Sequence, residues 1–215
     1  MKKNEEYTLY VRNMAIIKMR IKSIKKIRKH MISTGYSFTD IEYCVLQIRK
    51  ILELVALSSL ISDYKVYEEK MDNIYKMWKA DLIIKDIERI NPQFYPEPTL
   101  TIKKAGEIDR LVMTNKEYLT KKRFIEVYNK CGKMLHSHNL MNGEKNITDL
   151  YLQYDLYLEK WVEWIENLLE NHIVNLYETG KILYIVMGGD NNEPSGNVCE
   201  AQGIYEELSQ SENVD

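Results

Sequence analysis

Apolar residues recur at helical spacing over most of this chain. From Glu5 to Met31, the residues Tyr10, Met14, Ile17, Ile21, Ile24 and Met31 fall on one stripe, which predicts an amphipathic helix. The other side carries Lys18, Lys22, Lys25, Lys26, Arg28 and Lys29, and Gly35 is expected to break the helix. From Ile41 to Leu60 the pattern is apolar almost all round, through Val45, Leu46, Ile48, Ile51, Leu52, Leu54, Val55 and Leu57, so a helix there must be covered on most sides. Thr39 followed by Glu42 fits a capping box at its start. A third helix is predicted over Glu68–Ile90, with Ile74, Met77, Trp78, Leu82 and Ile87 inward. The run Asn91-Pro92-Gln93-Phe94-Tyr95-Pro96-Glu97-Pro98 must end it, because proline lacks an N–H and pushes its predecessor into extended geometry.

Residues 99–119 are ambiguous, although Thr99–Ile102 suits a short strand. A fourth helix is expected from about Thr120 to Leu135, with Phe124, Val127, Tyr128, Cys131 and Leu135 inward. A fifth follows from about Asp149 to Leu169, marked by Leu152, Leu156, Leu158, Trp161, Trp164, Ile165 and Leu168. The period then changes. Ile173–Tyr177, a Glu178-Thr179-Gly180 turn and Ile182–Met187 read as a hairpin, with Asn197–Tyr205 a candidate third strand. The expected fold is therefore mainly α: a bundle of about five helices with a small C-terminal antiparallel β-hairpin. The corresponding division is a helical bundle over 1–170, a hairpin appendage over 171–207 and a disordered acidic tail over 208–215.

Composition narrows the class. Of 215 residues, 45% are apolar and 29% charged, which excludes a wholly disordered or collagen-like chain. No apolar run approaches the ~20 residues of a membrane-spanning helix, and the N-terminus is charged where a signal peptide would be apolar, so a cytoplasmic protein without a membrane partner is expected. The three cysteines, Cys44, Cys131 and Cys199, are too far apart for a disulfide framework or a paired zinc motif. Charge is unevenly spread. Residues 1–30 hold ten Lys and Arg against two acids, while the last 26 residues hold seven acids and no Lys or Arg. The basic helix suits RNA phosphates, a solvated face, or pairing with the acidic tail.

Common nucleotide-binding and hydrolase motifs are absent: there is no P-loop, GxGxxG, HExxH or GxSxG. Gly188-Gly189-Asp190 reads as a turn. The densest chemistry lies in Lys130-Cys131-Gly132-Lys133-Met134-Leu135-His136-Ser137-His138-Asn139. His136 and His138 two residues apart splay their rings on a helix, which disfavours zinc, and no metal or other cofactor is expected. Histidine does titrate near neutrality, and a nearby Lys stabilises charge on a phosphate, so acid-base chemistry fits these residues. A helix C-terminus that places cations against its own dipole accounts for the same pattern.

Three segments together resemble a group of uncharacterised bacterial proteins: Arg49-Lys50-Ile51-Leu52-Glu53-Leu54-Val55-Ala56, Asn91-Pro92-x-Phe94-Tyr95-Pro96, and Cys131 through Asn139. The helical part of that group is similar to the HEPN superfamily, small helical bundles common in toxin–antitoxin and phage-defence loci. The resemblance covers about residues 10–170. It implies a dimer, an RNA substrate, a protein partner or antitoxin, and metal-independent endoribonuclease chemistry. In that chemistry a 2′-OH attacks the adjacent phosphate, with His moving the proton and Arg holding the phosphate. The superfamily signature is Arg, four to six residues, then His. Here Lys130 stands before His136 and Lys133 before His138, and neither position is Arg. Lysine places charge without the planar fork of arginine. The implied assignments are His136 for proton transfer, Lys130, Lys133 and Arg49 towards phosphate, and His138 and Asn139 as orienting groups. The alternative is a non-catalytic binding or regulatory module, in which Arg49–Glu53 and His136–Asn139 are polar networks that fix helix packing.

Overall fold

The computed structural model describes residues 3–70, 79–102, 110–136 and 147–200. Among these residues the chain is mainly helical, with helices α1 (Lys3–Arg28), α2 (Ser37–Ser62), α3 (Tyr64–Lys70), α4 (Ala80–Ile90), α5 (Lys121–Leu135) and α6 (Ile147–Leu169). Five strands, β1 (Glu97–Ile102), β2 (Arg110–Met113), β3 (Asn171–Leu176), β4 (Lys181–Val186) and β5 (Ser195–Glu200), form one antiparallel sheet in the order β2-β1-β3-β4-β5. No helix of the described residues is long and apolar enough to cross a membrane.

The apolar circumference of α2 explains its place. It packs against α1, α4, α5 and α6, and buries Val45, Ile48, Ile51, Leu52, Val55 and Ala56. The stripe of α1 buries Tyr10, Met14, Ile17, Ile21, Ile24 and Ile27. Its end comes earlier than Gly35 suggested. His30 adopts φ 53°, and the His30 and Met31 N–H groups donate to the carbonyls of Ile27 and Lys26 at 2.9 Å each. That is a Schellman closure, with histidine in the left-handed position usually given to glycine.

The expected capping box does not form. The N-cap of α2 is Tyr36, with no side-chain cap. Thr39 instead donates its hydroxyl to the Tyr36 carbonyl, and the Glu42 carboxylate accepts the Tyr151 hydroxyl from α6. Asp40 holds the α1–α2 turn by accepting from the Thr34 N–H at 2.6 Å, and that bond lowers its pKa below the usual carboxylate value.

The helix expected over Glu68–Ile90 is not continuous, because Lys79 is extended (φ −87°, ψ 113°) and α4 starts after it. Ile74, Met77 and Trp78 lie outside the described residues. Leu82 is 47% exposed, since the inward stripe of α4 is Ala80, Ile83, Ile84 and Ile87. The Pro-rich loop behaves as an anchor. Phe94 and Tyr95 are buried, and the Tyr95 hydroxyl donates to the Leu119 carbonyl at 2.8 Å. The fourth helix starts where expected, and Thr120 caps it, its side chain accepting from the Arg123 N–H at 3.3 Å.

The sheet is larger than the expected hairpin. The hairpin itself forms as β3–β4, and β5 supplies the third strand. The correction comes from the middle of the chain, where β1 and β2 pair and join β3 through Glu97↔Ile173 and Pro98↔His172. The sheet thus draws strands from both sides of residue 170. It gives the hairpin a second pair of strands, which a two-stranded ribbon needs for stability. On the α6 side, Leu152 and Leu156 are 60% and 77% exposed, outside the core that Leu158, Ile165 and Leu168 enter.

Candidate functional site

The candidate residues sit around α5, where it packs on α2. Arg49 projects from α2 over two α5 residues. Its guanidinium carbon lies 4.3 Å from the centre of the Tyr128 ring, and its Nη2 donates to the Tyr128 hydroxyl at 2.9 Å. Nε faces the Glu53 carboxylate at 3.4 Å, one helical turn along α2. Gly132 makes room for this arrangement, since a Cβ there would stand 3.0 Å from Arg49 Nη1. Lys50 also reaches Glu53, at 2.9 Å. Arg49 therefore has an acid, an aromatic ring and a hydroxyl around it, and only 24% of its side chain is exposed.

Lys130 serves a different flank. On an ideal helix it lies about 200° round from Tyr128. Its Nζ stands 4.1 Å over the Tyr157 ring of α6, which stacks on Trp161. The Lys130 carbonyl accepts from the Tyr154 hydroxyl at 2.9 Å. Lys133 is exposed in the last turn of α5, and His136 is the exposed C-cap (φ −88°, ψ 140°). A cation in the last turn suits the helix dipole. His138 and Asn139 lie outside the described residues. Of the four candidates described, Lys133 and His136 share the exposed end of α5, while Arg49 and Lys130 are held on separate flanks by their own partners.

Beneath Arg49 lies Cys131, wholly buried, with its thiol pushed up to about 12 by desolvation. Such a thiol is not a nucleophile at neutral pH. Among the described residues no group of three or more His, Cys, Asp or Glu is placed to hold a metal. A shallow depression of about 310 Å³ between the Asn91–Gln93 turn and Asn175–Glu178 shares none of the candidate residues.

The faces of α1 differ in a way that only the fold reveals. Where α1 meets other elements, its cations find acceptors. Lys18 donates to the carbonyls of Met187 and Asn192 at 2.7 and 2.5 Å. Arg20 donates to Gln47 on α2 at 2.5 Å. Lys25 pairs with Glu166 at 2.6 Å, and Arg28 pairs with Asp155. Arg12, Lys22, Lys26 and Lys29 form an outward, exposed stripe and make no ion pair among the described residues. Met19, 61% exposed, lies within that stripe. At 1.5 Å per residue the stripe is about 25 Å long.

One buried polar junction carried no sequence signal. His172 on β3 is fully buried, with Nε2 2.9 Å from the Tyr10 hydroxyl and Nδ1 3.0 Å from the Leu169 carbonyl. The carbonyl can only accept, so Nδ1 carries the proton and Nε2 accepts from Tyr10. Burial lowers the His172 pKa to about 4, which keeps the ring neutral at physiological pH. An isolated histidine in a strand gave no hint of this, because its partner stands 162 residues away.

No protein-family model, curated protein or solved structure matches this chain.

Proposed function

We propose that this chain is a HEPN-like, defence-related protein that binds RNA through the outward face of α1. The observation that carries the reading is the stripe Arg12, Lys22, Lys26 and Lys29, four cations on one exposed face with no ion pair among the described residues. Lys22, Lys26 and Lys29 are spaced by about 4.5–6 Å along the helix axis, so several can meet one polyanionic backbone at once. Each phosphate they neutralise releases condensed counterions. Cleavage is the further step in this reading. His136, exposed beside Lys133, is the proton-transfer candidate; Lys130 and Arg49, the other cations of this reading, would have to leave their partners on separate flanks of α5 to join it. A dimer would bring a second copy of these groups to the same RNA.

A specific observation favours the non-catalytic alternative. Arg49 is occupied by Glu53 and Tyr128, so it is not free to hold a phosphate without giving up those partners. One experiment tests both readings. Pure protein is titrated into labelled single-stranded RNA at several salt concentrations in EDTA, with the His136→Ala variant alongside. Four phosphate contacts predict a slope of log K against log salt of about −3. Binding without cleavage selects the non-catalytic module. Cleavage that vanishes in His136→Ala selects the ribonuclease. A salt-independent affinity, or none, removes the RNA reading.

A further inference from the structure

We propose that the turn between α1 and α2 is a peripheral membrane anchor: Met31, Ile32, Tyr36 and Phe38 enter the surface of an anionic bilayer, and Lys26 and Lys29 meet its headgroups. The inference goes beyond the RNA reading and does not depend on it.

The first argument is the inversion of the turn. A connection between helices in water ordinarily presents polar side chains and backbone to the solvent. Here every residue from Arg28 to Thr39 is exposed, and four of them are large and apolar. Met31 is 65% exposed, Ile32 44%, Tyr36 77% and Phe38 43%. The polar groups of the turn bond to one another instead. Asp40 accepts from the Ser33 and Thr34 hydroxyls at 2.9 Å each, in addition to the Thr34 N–H. The Ser33 hydroxyl accepts from the Gly35 N–H at 3.0 Å. The Tyr36 carbonyl accepts from the Thr39 hydroxyl and from the Asp40 N–H, both at 2.9 Å. A segment that sinks into lipid has to satisfy its polar groups internally, because hydrocarbon offers no partners.

The second argument is charge. Lys26 and Lys29 are exposed and make no ion pair among the described residues. They stand five and two residues before Met31, within about 8 Å along the helix axis. An interfacial segment sinks by about 5–10 Å, so these ammonium groups fall at headgroup depth when Met31 reaches the acyl boundary. Three acids of the neighbouring helices are already engaged. Asp40 is held within the turn, Glu42 accepts from the Tyr151 hydroxyl, and Asp155 pairs with Arg28.

The third argument is shape. The turn is the tip of the α1–α2 hairpin, and it is braced where the Phe38 ring lies 4.5 Å from the Tyr151 ring of α6. Apolar side chains on an outward tip suit a soft apolar layer, and a tyrosine such as Tyr36 suits the headgroup level. RNA would meet the lysines and leave Met31 and Ile32 in water. The expectation of no membrane partner rested on the lack of a spanning or leading apolar segment, and neither bears on contact at the surface.

The test sediments the full chain with vesicles of phosphatidylcholine, alone or mixed with phosphatidylglycerol. Binding to the mixed vesicles is expected, with little to the neutral ones, and salt should weaken it. Lys26→Gln combined with Lys29→Gln should weaken it about 25-fold, or about fivefold for each lysine. A variant carrying Met31→Ser, Ile32→Ser and Tyr36→Ser should weaken it by about tenfold or more. The same serine variant should keep the natural urea stability and RNA affinity, since its three side chains are outside the core and outside the RNA reading. No binding to the mixed vesicles overturns the anchor. Binding that the serine variant retains in full puts the contact elsewhere and overturns it as well. Sedimentation velocity separates the remaining case: a natural chain that ignores vesicles but self-associates, with the serine variant monomeric, assigns the turn to a second copy and overturns the anchor. Failure to bind RNA would leave the vesicle result standing and count against the RNA reading alone.

Discussion

Arg49 and Lys26 are both cations on long helices of one bundle, and the fold surrounds them in opposite ways. Arg49 faces α5 across a seam shaped for it, with Gly132 beneath the guanidinium, Tyr128 under its plane and Glu53 along its edge. Lys26 stands on the outward side of α1 with no ion pair among the described residues. Two of the four histidines repeat the contrast: His172 is enclosed with both ring nitrogens satisfied, whereas His136 stands exposed at the end of α5. Enclosed polar groups with matched partners contribute to the stability and register of packing. Exposed, uncompensated groups contribute little to stability and remain available to a ligand.

The largest expected effect is on the enclosed side and depends on pH. His172 has its pKa lowered to about 4 in the folded protein by burial. In the unfolded chain it returns to about 6.5. Between these values the unfolded state binds a proton and the folded state does not. The stabilising contribution is therefore whole above about pH 6.5, falls as pH drops, and is lost by about pH 4. The total is about 3 kcal/mol. Urea unfolding from pH 7 to pH 4 measures it. A His172→Gln variant should be less stable at pH 7 and should lose this part of the slope. If the variant keeps the natural slope, the titration belongs elsewhere and His172 is not the pH-sensitive element of the enclosed set.

Next in size is Arg49→Met, which removes the guanidinium but keeps the aliphatic bulk. Glu53 keeps Lys50, so the acid is not stranded. A loss of about 1–3 kcal/mol is expected from the hydrogen bond, the ion pair and the ring contact together. RNA affinity should not change. If stability holds and RNA binding or cleavage falls tenfold, Arg49 belongs with the functional groups, and the division between the two sides fails at its central residue.

How far these features could be read from the sequence follows from their range. Helix stripes are local, so α1, α2, α5 and α6 were legible from spacing, as was the β3–β4 hairpin from its turn. Interruptions set by tertiary contact were not. Glu42 reads as a capping residue until α6 brings Tyr151 to it. His30 ends α1 by a backbone conformation that its side chain does not announce. The strands β1 and β2 are short, and the partner β3 lies over seventy residues further on, so no window of sequence contains the pairing. Among the candidates, the Arg49–Glu53 pair was visible as an i, i+4 spacing, and the structure adds Tyr128 and Gly132 from α5. The ten cations near the N-terminus were visible as a group. Which four remain unpaired among the described residues is a property of the packing of α1 against α2, α6 and the sheet.

On the exposed side, Lys22→Glu combined with Lys26→Glu should leave urea stability within about 0.5 kcal/mol of the natural chain. RNA affinity should fall by tenfold or more at low salt, and the salt slope should become shallower by about 1.4, or 0.7 for each lost phosphate contact. Fluorescence anisotropy across a salt series reads both quantities. A stability loss above 1 kcal/mol would place these lysines in a structural network and remove the basis for treating the outward face as a free surface.

The smallest effect separates the enclosed cation from the exposed ones most directly. Glycine inside a helix costs up to about 1 kcal/mol relative to alanine, and Gly132 is a helical residue in the last turn of α5. In the natural chain, Gly132→Ala would recover that amount but press its Cβ to 3.0 Å from Arg49 Nη1, so the two effects should nearly cancel. When Arg49 is already methionine, the guanidinium is absent and Gly132→Ala should stabilise by the full ~1 kcal/mol. The difference between the two backgrounds is a coupling energy that an exposed cation on α1 could not show. Four proteins in one urea series measure it. A coupling near zero would mean that Gly132 is not the seat of Arg49, and that the guanidinium is held only by groups that would also let it turn towards a phosphate.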